Sequence, residues 1–245
     1  MHIKDKLYMG FDGLMNNGPI NVVILGDSVS HGALNNDDID YETVYWNQLK
    51  KRINAIRPYM PVNMICSAIG GIGAKNAISF VEERVIDHHP DLVIVCFGLN
   101  DVNGTVESFT SSLKAIFDKC IEKGIDVIFM TPNMLNTYPH ENTRDIWREY
   151  SHKTAEMQNN GRMDSFMEAA KQTALDCGAK VCDCYSEWKK LEAQGEEVGG
   201  LGGDGQVIAC LIDIALTPQR DDAVAQVGVV SGAVGLAEDI GEEDH

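Results

Sequence analysis

Basic residues are scarce in this sequence of 245 residues. Twenty Lys and Arg stand against thirty-seven Asp and Glu, which gives a formal net charge of −17. A surface this acidic repels phosphate backbones and anionic lipids. The charge therefore predicts that neither nucleic acid nor a membrane is a partner of this protein.

Long apolar runs and paired cysteines are also missing. The first 20 residues contain no apolar core of signal-peptide length, and no segment approaches the roughly 20 apolar residues of a membrane span. Seven cysteines are an odd number for a disulfide framework, and Cys182 and Cys184 lack the two-residue spacing of a redox or zinc pair. We therefore expect reduced cysteines in the core of a cytoplasmic protein, with no metal bound through them.

Apolar and helical segments alternate through the first three-quarters of the chain. Five short apolar runs predict buried strands at 21–26, 61–69, 91–98, 125–132 and 179–186. Predicted helices follow them at about 41–57, from the glycine-rich turn to 87, at 106–123, at 143–176 with a break at 159–161, and at 187–193. This alternation predicts a three-layer α/β/α sandwich whose parallel sheet has a flavodoxin-like strand order.

The composition changes near residue 195. Every Phe, Trp, Tyr and Lys lies before that point, and Arg220 is the only Lys or Arg after it. We therefore divide the chain into an α/β domain over 1–194 and an atypical segment rich in Gly, Ala and acid over 195–245. That segment is either a flexible acidic tail or a piece substituted by recombination or a change of reading frame.

Three turns carry the candidate chemistry, because ligands of such folds bind at the carboxyl ends of the strands. The first turn, GDSVSHG (26–32), places Ser28 between a strand and a helix, where its hydroxyl suits a nucleophile and its N–H an oxyanion. The second, SAIGGIGAKNA (67–77), offers glycine N–H groups, and the third, FGLNDVNG (97–104), offers the Asn100 amide. Each turn alone is ordinary. Together they put a nucleophile and two kinds of oxyanion donor on one edge of the sheet.

These turns resemble the three blocks of the SGNH, or GDSL-type, hydrolase family. The matching residues are Gly26-Asp27-Ser28, Gly70-Gly71 and Gly98-Leu99-Asn100-Asp101, within a resemblance that covers roughly 18–194. The resemblance implies an SGNH-type fold that hydrolyses carboxylic esters through a Ser-linked acyl intermediate. It points to short acyl groups, such as acetyl groups on carbohydrate, and to small-molecule or carbohydrate ester substrates. It requires no metal and no organic cofactor.

The same resemblance implies the site residues. Ser28 would be the nucleophile, and the oxyanion hole would consist of the Ser28 backbone N–H, a glycine N–H and the Asn100 side chain. We assign the glycine to Gly70. The family usually has an Asn two residues before that glycine, whereas this sequence has Ala68. The choice of glycine therefore stays open at this point.

The sequence lacks the family's motif for the general base. The family carries an Asp-x-x-His block near its C-terminus, and the corresponding region of this chain, around 200–215, contains no His. The seven histidines are His2, His31, His88, His89, His140, His152 and His245. Each is expected in an ordinary surface, capping or terminal role, so the base stays unassigned.

Three functions follow from these observations. The first is a serine esterase, and the second is an SGNH-like protein that binds an esterified or carbohydrate ligand without turnover. The third is a flavodoxin-like phosphate or nucleotide-binding module, which is disfavoured because no Lys or Arg converges near the first turn. Lys75, Asn76 and Asn103 lie beside the predicted site and are expected to be solvated turn residues, with substrate contact as the alternative.

Overall fold

A parallel sheet forms the middle of the protein. The computed structural model describes residues 3–33, 38–140 and 143–194. The strands of these residues are β1 (Ile20–Gly26), β2 (Val62–Cys66), β3 (Leu92–Cys96), β4 (Asp126–Met130) and β5 (Lys180–Cys182). They lie in the order β2-β1-β3-β4-β5 with parallel pairing throughout, which confirms the flavodoxin-like order. All their carboxyl ends therefore lie along one edge of the sheet.

Helices cover both faces of this sheet. They are α1 (Ile3–Leu7), α2 (Phe11–Asn17), α3 (Ser28–His31), α4 (Tyr45–Ile56), α5 (Ala74–Ala77), α6 (Val81–Arg84), α7 (Val106–Glu122), α8 (Asp145–Asn159), α9 (Arg162–Asp176) and α10 (Cys184–Ala193). Val22 and Ile24 of β1 pack in the core layer that includes α1 and α4, and Val23 and Leu25 pack in the layer that includes α7 and α9. This alternation along one strand, with period two, confirms the three-layer sandwich.

The predicted helix that ends at residue 87 is broken in the structure. It consists of α5, α6 and a short 3₁₀ helix over Ile86–His88. Ser79 lies in the first gap and donates its hydroxyl to the Asn76 carbonyl at 2.8 Å. Such local side-chain bonds compete with the helical pattern. The break at 159–161 was predicted correctly, and Gly161 supplies its positive φ of 80°.

Two other predicted boundaries were wrong. The strand predicted over 179–186 ends at Cys182, because the Asp183 side chain accepts the Ser186 N–H at 3.2 Å and caps α10. The helix predicted from residue 41 begins at Tyr45, since the Asp40 carboxylate accepts the Glu42 N–H at 2.7 Å and holds a turn there.

The short N-terminal helix α1 has no counterpart in the sequence analysis. Ile3 and Leu7 are buried at a spacing of four residues, which is the signal that was available for it. Between them Lys6 forms an ion pair with Asp91 at 2.8 Å, with side chains only 7% and 11% exposed. A buried charge pair thus ties α1 to the loop before β3.

None of the six described cysteines forms a disulfide, and four of them, Cys96, Cys120, Cys182 and Cys184, are buried. The expectation of core cysteines was wrong for Cys66, which is exposed at the end of an edge strand, and for Cys177, which is half-buried after α9. Cys210 and the segment 195–245 lie outside the described residues. Within those residues, no helix combines the length and apolar character needed to span a bilayer.

Candidate active site

Ser28 lies at the carboxyl edge of the sheet, directly after β1. Asp27 caps α3 by accepting the Val29 N–H on Oδ1 at 3.1 Å, and Ser28 is the first residue of that helix. Because α3 has only four residues, it contributes backbone N–H groups rather than a long helix dipole. A side chain at Gly26 would lie 2.8 Å from the Cys96 carbonyl, so this close strand-to-helix turn needs glycine.

The glycine turn after β2 lies beside the turn that carries Ser28. Ile69 donates its N–H to the Gly26 carbonyl at 3.1 Å, so the chain still follows β1 beyond the end of β2. A Cβ on Gly70 would lie 3.7 Å from the Ser28 Cβ, whereas Gly71 has a φ of 81° and open space around it. A side chain at Gly70 would therefore face Ser28, whereas one at Gly71 would meet no other residue.

Asn100 joins all three turns. It follows β3, and its amide Nδ2 donates to Asp27 Oδ2 at 3.2 Å and to the Ile72 carbonyl at 3.0 Å. These two acceptors engage both hydrogens of the amide. Asn100 is thus hydrogen-bonded to Asp27, the residue next to Ser28. Its amide must share or release one of these hydrogen bonds before it can donate to a ligand.

Two carboxyl groups lie beneath these turns, and the sequence analysis gave neither a catalytic or binding role. Asp27 is fully buried, and its pKa is raised to about 7, mainly by burial and also by the nearby Asp101, against opposing hydrogen bonds from the Val29 N–H and the Asn100 amide. Burial also raises the pKa of Asp101 to about 6. The available signal was that both predicted turns, GDS and GLND, place an Asp within five residues of the end of a buried strand.

Asp101 connects the second turn to the third. Its Oδ1 accepts the Ala74 N–H at 2.8 Å, and a Cβ on Gly73 would lie 2.5 Å from the same oxygen. Its other oxygen, Oδ2, is buried and has no hydrogen-bond partner among the described residues. Gly73 therefore makes room for a carboxylate that fixes the start of α5.

No imidazole is hydrogen-bonded to Ser28 within the described residues. His31 ends α3, where its Nε2 lies 3.3 Å from the Tyr41 hydroxyl. His88 and His89 precede β3, at the opposite edge of the sheet, and His140 and His152 are exposed before and on α8. His2, His245 and the region 200–215 lie outside the described residues. The base is thus not found in the part of the chain that the structure describes.

The three neighbouring polar residues differ in their contacts. Asn76 accepts the Gly73 N–H at 3.2 Å as a turn residue, and Lys75 is exposed. Asn103 donates to the Asn100 carbonyl at 3.2 Å and to the Tyr150 hydroxyl at 3.4 Å. Asn103 therefore links helix α8 to the turn that carries Asn100.

Comparison with known proteins identifies a family. The model of the GDSL-like Lipase/Acylhydrolase family matches residues 24–207. The match begins in β1, includes all three turns and runs past residue 194. No curated protein has a significant sequence match to the chain.

Solved structures share the fold. A lipase/acylhydrolase from Enterococcus faecalis is 20% identical with a TM-score of 0.62, over 82% of this chain and 99% of that one. An acetylxylan esterase from Geobacillus stearothermophilus is 16% identical with a TM-score of 0.59, over 79% of this chain and 92% of that one. Variants of that esterase with a serine, an aspartate or a histidine replaced by alanine are described as catalytic mutants.

Proposed function

The chain belongs to the GDSL-like lipase/acylhydrolase family, and we propose that it hydrolyses carboxylic esters with Ser28 as its nucleophile. One observation carries this proposal. The turns after β1, β2 and β3 meet, so that a Cβ on Gly70 would lie 3.7 Å from the Ser28 Cβ and Asn100 donates to Asp27, the residue before Ser28. Acyl transfer needs oxyanion donors near the attacking hydroxyl, and this meeting of the three turns supports that role for Gly70 and Asn100.

The proposed reaction has two steps. In the first, Ser28 Oγ attacks the ester carbonyl as its proton passes to a base, and the tetrahedral intermediate expels the alcohol, which takes up that proton. In the second, water attacks the acyl-serine, releases the carboxylic acid and restores the Ser28 hydroxyl. Short acyl groups, including acetyl groups on small molecules or carbohydrates, are the proposed substrates.

The oxyanion hole would consist of the Ser28 N–H, the Gly70 N–H and the Asn100 side-chain amide. The proximity of Gly70 to Ser28 favours it over Gly71. The bonds of Asn100 to Asp27 and Ile72 restrict its side chain to one orientation. As the amide donates to the oxyanion it has to share or release one of these two bonds, while the other keeps the side chain in place.

A second candidate function is that of a protein of the same fold that binds an esterified or carbohydrate ligand and does not hydrolyse it. It is favoured by one observation, that Ser28 has no imidazole partner among the described residues. Removing the base of a catalytic triad lowers rates by several orders of magnitude, while an oxyanion hole alone keeps part of the acceleration. Activity and binding therefore have to be separated by experiment.

The test is hydrolysis of p-nitrophenyl acetate by the purified full chain. We expect Ser28→Ala to lower kcat/KM by at least about 100-fold, and a fluorophosphonate probe to label Ser28 in the parent protein only. Ser111→Ala, an exposed serine on α7, is the matched control and should keep the parent rate. Equal rates in the parent and Ser28→Ala, without labelling, would reject the esterase in favour of the binding protein.

We also propose that the protein works in the reducing environment of the cytoplasm. None of the six described cysteines forms a disulfide, and four of them are buried in the core. Proteins of oxidising compartments use cysteine mainly in disulfides.

A further inference from the structure

Two cysteine sulfurs lie in contact at the carboxyl end of β5. Cys182 ends the strand and Cys184 begins α10, and their Sγ atoms are 3.6 Å apart. The two residues form no disulfide and are 0% and 2% exposed. The proposed ester hydrolysis uses neither thiol. The pair is therefore a cluster of two nucleophiles without a role in the candidate active site.

A turn around a single residue brings the two sulfurs together. Asp183, the residue between them, has a φ of −86° and a ψ of 71°, close to the angles of an inverse γ-turn. Such a turn folds the chain within three residues, so its first and third residues lie close together. The spacing of Cys182 and Cys184 in the sequence did not indicate a pair, because their contact depends on this conformation.

Hydrogen bonds on both sides hold this turn. Thr131, just after β4, donates its N–H to the Cys182 carbonyl at 3.0 Å and accepts the Tyr185 N–H on its hydroxyl at 2.8 Å. The Asp183 carboxylate accepts a hydrogen bond from Lys171 at 2.9 Å and caps α10. The turn is therefore fixed in the conformation that keeps the two sulfurs adjacent.

The contact is close to the geometry of a disulfide. The sulfur atoms of a disulfide are about 2.05 Å apart, so these two atoms have to approach each other by about 1.5 Å. Rotation about the Cα–Cβ bonds of the two residues supplies a shift of this size.

The position of β5 gives an oxidant a route to the buried sulfurs. β5 has three residues, lies at one edge of the described sheet and pairs there with β4. Local opening of a short edge strand requires less free energy than unfolding of the whole domain. Such an opening admits a molecule as small as hydrogen peroxide.

The other four described cysteines are less suited to oxidation. Burial raises the pKa of their thiols, which are those of Cys66, Cys96, Cys120 and Cys177. A raised pKa lowers the fraction of thiolate, which is the form that reacts with peroxide. A reversible disulfide also needs a second sulfur within reach, and Cys182 and Cys184 provide that for each other.

We propose that Cys182 and Cys184 are a site of oxidative modification, at which hydrogen peroxide or a related hydroperoxide produces a reversible disulfide. The thiolate of one cysteine attacks a peroxide oxygen and breaks the O–O bond, which gives a sulfenic acid and one water. The second thiol attacks that sulfur, forms the S–S bond and releases the sulfenic hydroxyl as a second water. Two electrons and two protons thus pass from the thiols to the peroxide. A reducing cytoplasm returns the pair to the dithiol.

The test follows the thiols of the full chain during treatment with hydrogen peroxide. Samples are quenched, denatured, alkylated with iodoacetamide and digested with trypsin, which leaves Cys182 and Cys184 on one peptide that starts at Val181. We expect this peptide to lose about 2 Da, for two hydrogens, and to resist alkylation until dithiothreitol is added. It should lose its alkylatable thiols at least about tenfold faster than the peptide that carries Cys120.

Two variants show whether both sulfurs are needed. Cys184→Ser removes the second thiol, so Cys182 should stay alkylatable or gain oxygen atoms, with no change that dithiothreitol reverses through a disulfide within the peptide. Cys120→Ser, at a buried cysteine on α7, is the matched control and should leave the rate at the Val181 peptide unchanged.

The parent protein alone decides the result, so a variant that fails to fold does not affect the test. Oxidation of the Val181 peptide no faster than that of the Cys120 peptide overturns the proposal, as does a disulfide that joins Cys182 or Cys184 to a different peptide. Neither readout uses ester hydrolysis. The outcome is therefore separate from that of the proposed function.

Discussion

The Asn100 amide donates to the Asp27 carboxylate across 3.2 Å, between two turns that are 73 residues apart in the chain. Asp27 is fully buried and also caps the helix that begins with Ser28. The Asp27 carboxylate therefore fixes both the start of the helix that carries the proposed nucleophile and the side chain of the proposed oxyanion donor. This link makes the three turns act as one unit.

Removing the Asn100 amide should reduce catalysis more than binding. We expect Asn100→Ala to lower kcat for p-nitrophenyl acetate by about 100- to 1,000-fold with little change in KM, as for other oxyanion donors. Asn63→Ala is the control, because that amide donates only to Asn21 Oδ1 at 2.9 Å on the exposed part of the sheet. An Asn100→Ala protein with the parent kcat would show that this amide does not stabilise the oxyanion.

Asp27 should make stability depend on pH. Burial raises its pKa from an ordinary value of 3.8 to about 7 in the folded protein, so the folded state binds a proton more tightly than the unfolded chain. The resulting stabilisation is complete below about pH 4 and is lost as pH rises through about 7. The parent should thus lose up to about 4 kcal/mol relative to Asp27→Asn over this range.

Urea unfolding of both proteins between pH 4 and pH 8 measures this difference. Asp40→Asn is the flat control, because hydrogen bonds from Thr43 and Glu42 lower the pKa of the exposed Asp40 carboxyl below 3.8, so that its contribution to stability changes little between pH 4 and pH 8. A difference between the parent and Asp27→Asn that is flat with pH would contradict the raised pKa of Asp27.

Two of the three glycines in the second turn, Gly70 and Gly73, should respond differently to alanine. A Cβ on Gly73 would lie 2.5 Å from Asp101 Oδ1, which is held by the Ala74 N–H, so we expect Gly73→Ala to destabilise the protein by about 1–3 kcal/mol. A Cβ on Gly70 meets nothing closer than 3.7 Å, so Gly70→Ala should change stability by less than about 0.5 kcal/mol. Urea denaturation of the two variants compares them, and equal losses would be inconsistent with these contacts.

The buried ion pair of the N-terminal helix should be costly to break. Asp91→Ala leaves the Lys6 ammonium buried without its carboxylate, and also removes the acceptor of the Asn21 N–H at 2.8 Å. We expect a loss of about 3–5 kcal/mol in the free energy of unfolding. The exposed pair Lys51–Glu42 is the reference, and Glu42→Ala should cost less than about 1 kcal/mol. A small effect of Asp91→Ala would mean that α1 contributes little to the fold.

Strand positions were predicted well because burial on both faces of a parallel sheet demands continuous apolar runs. The apolar run 21–26 lies within β1 (Ile20–Gly26), and the apolar run 91–98 contains β3 (Leu92–Cys96). Boundaries that depend on a single side-chain bond were missed, as at Asp183, where one capping hydrogen bond ends β5 and starts α10. A hydrophobic pattern reports burial but not the choice between competing partners for a polar group.

The sequence by itself determined the strands and the three turns that contain Ser28, Gly70 and Asn100, since these follow from short-range patterns of apolar and turn-forming residues. The strand order was predicted from the alternation of strands and helices, because such folds share a common order. Only the tertiary structure decided that the amide of Asn100 is held by Asp27, that Asp101 fixes the glycine turn, and that Asn103 connects the site to α8. Those contacts join residues far apart in the chain. They form because buried polar groups must find hydrogen-bond partners, and which partners lie within reach depends on how the layers pack.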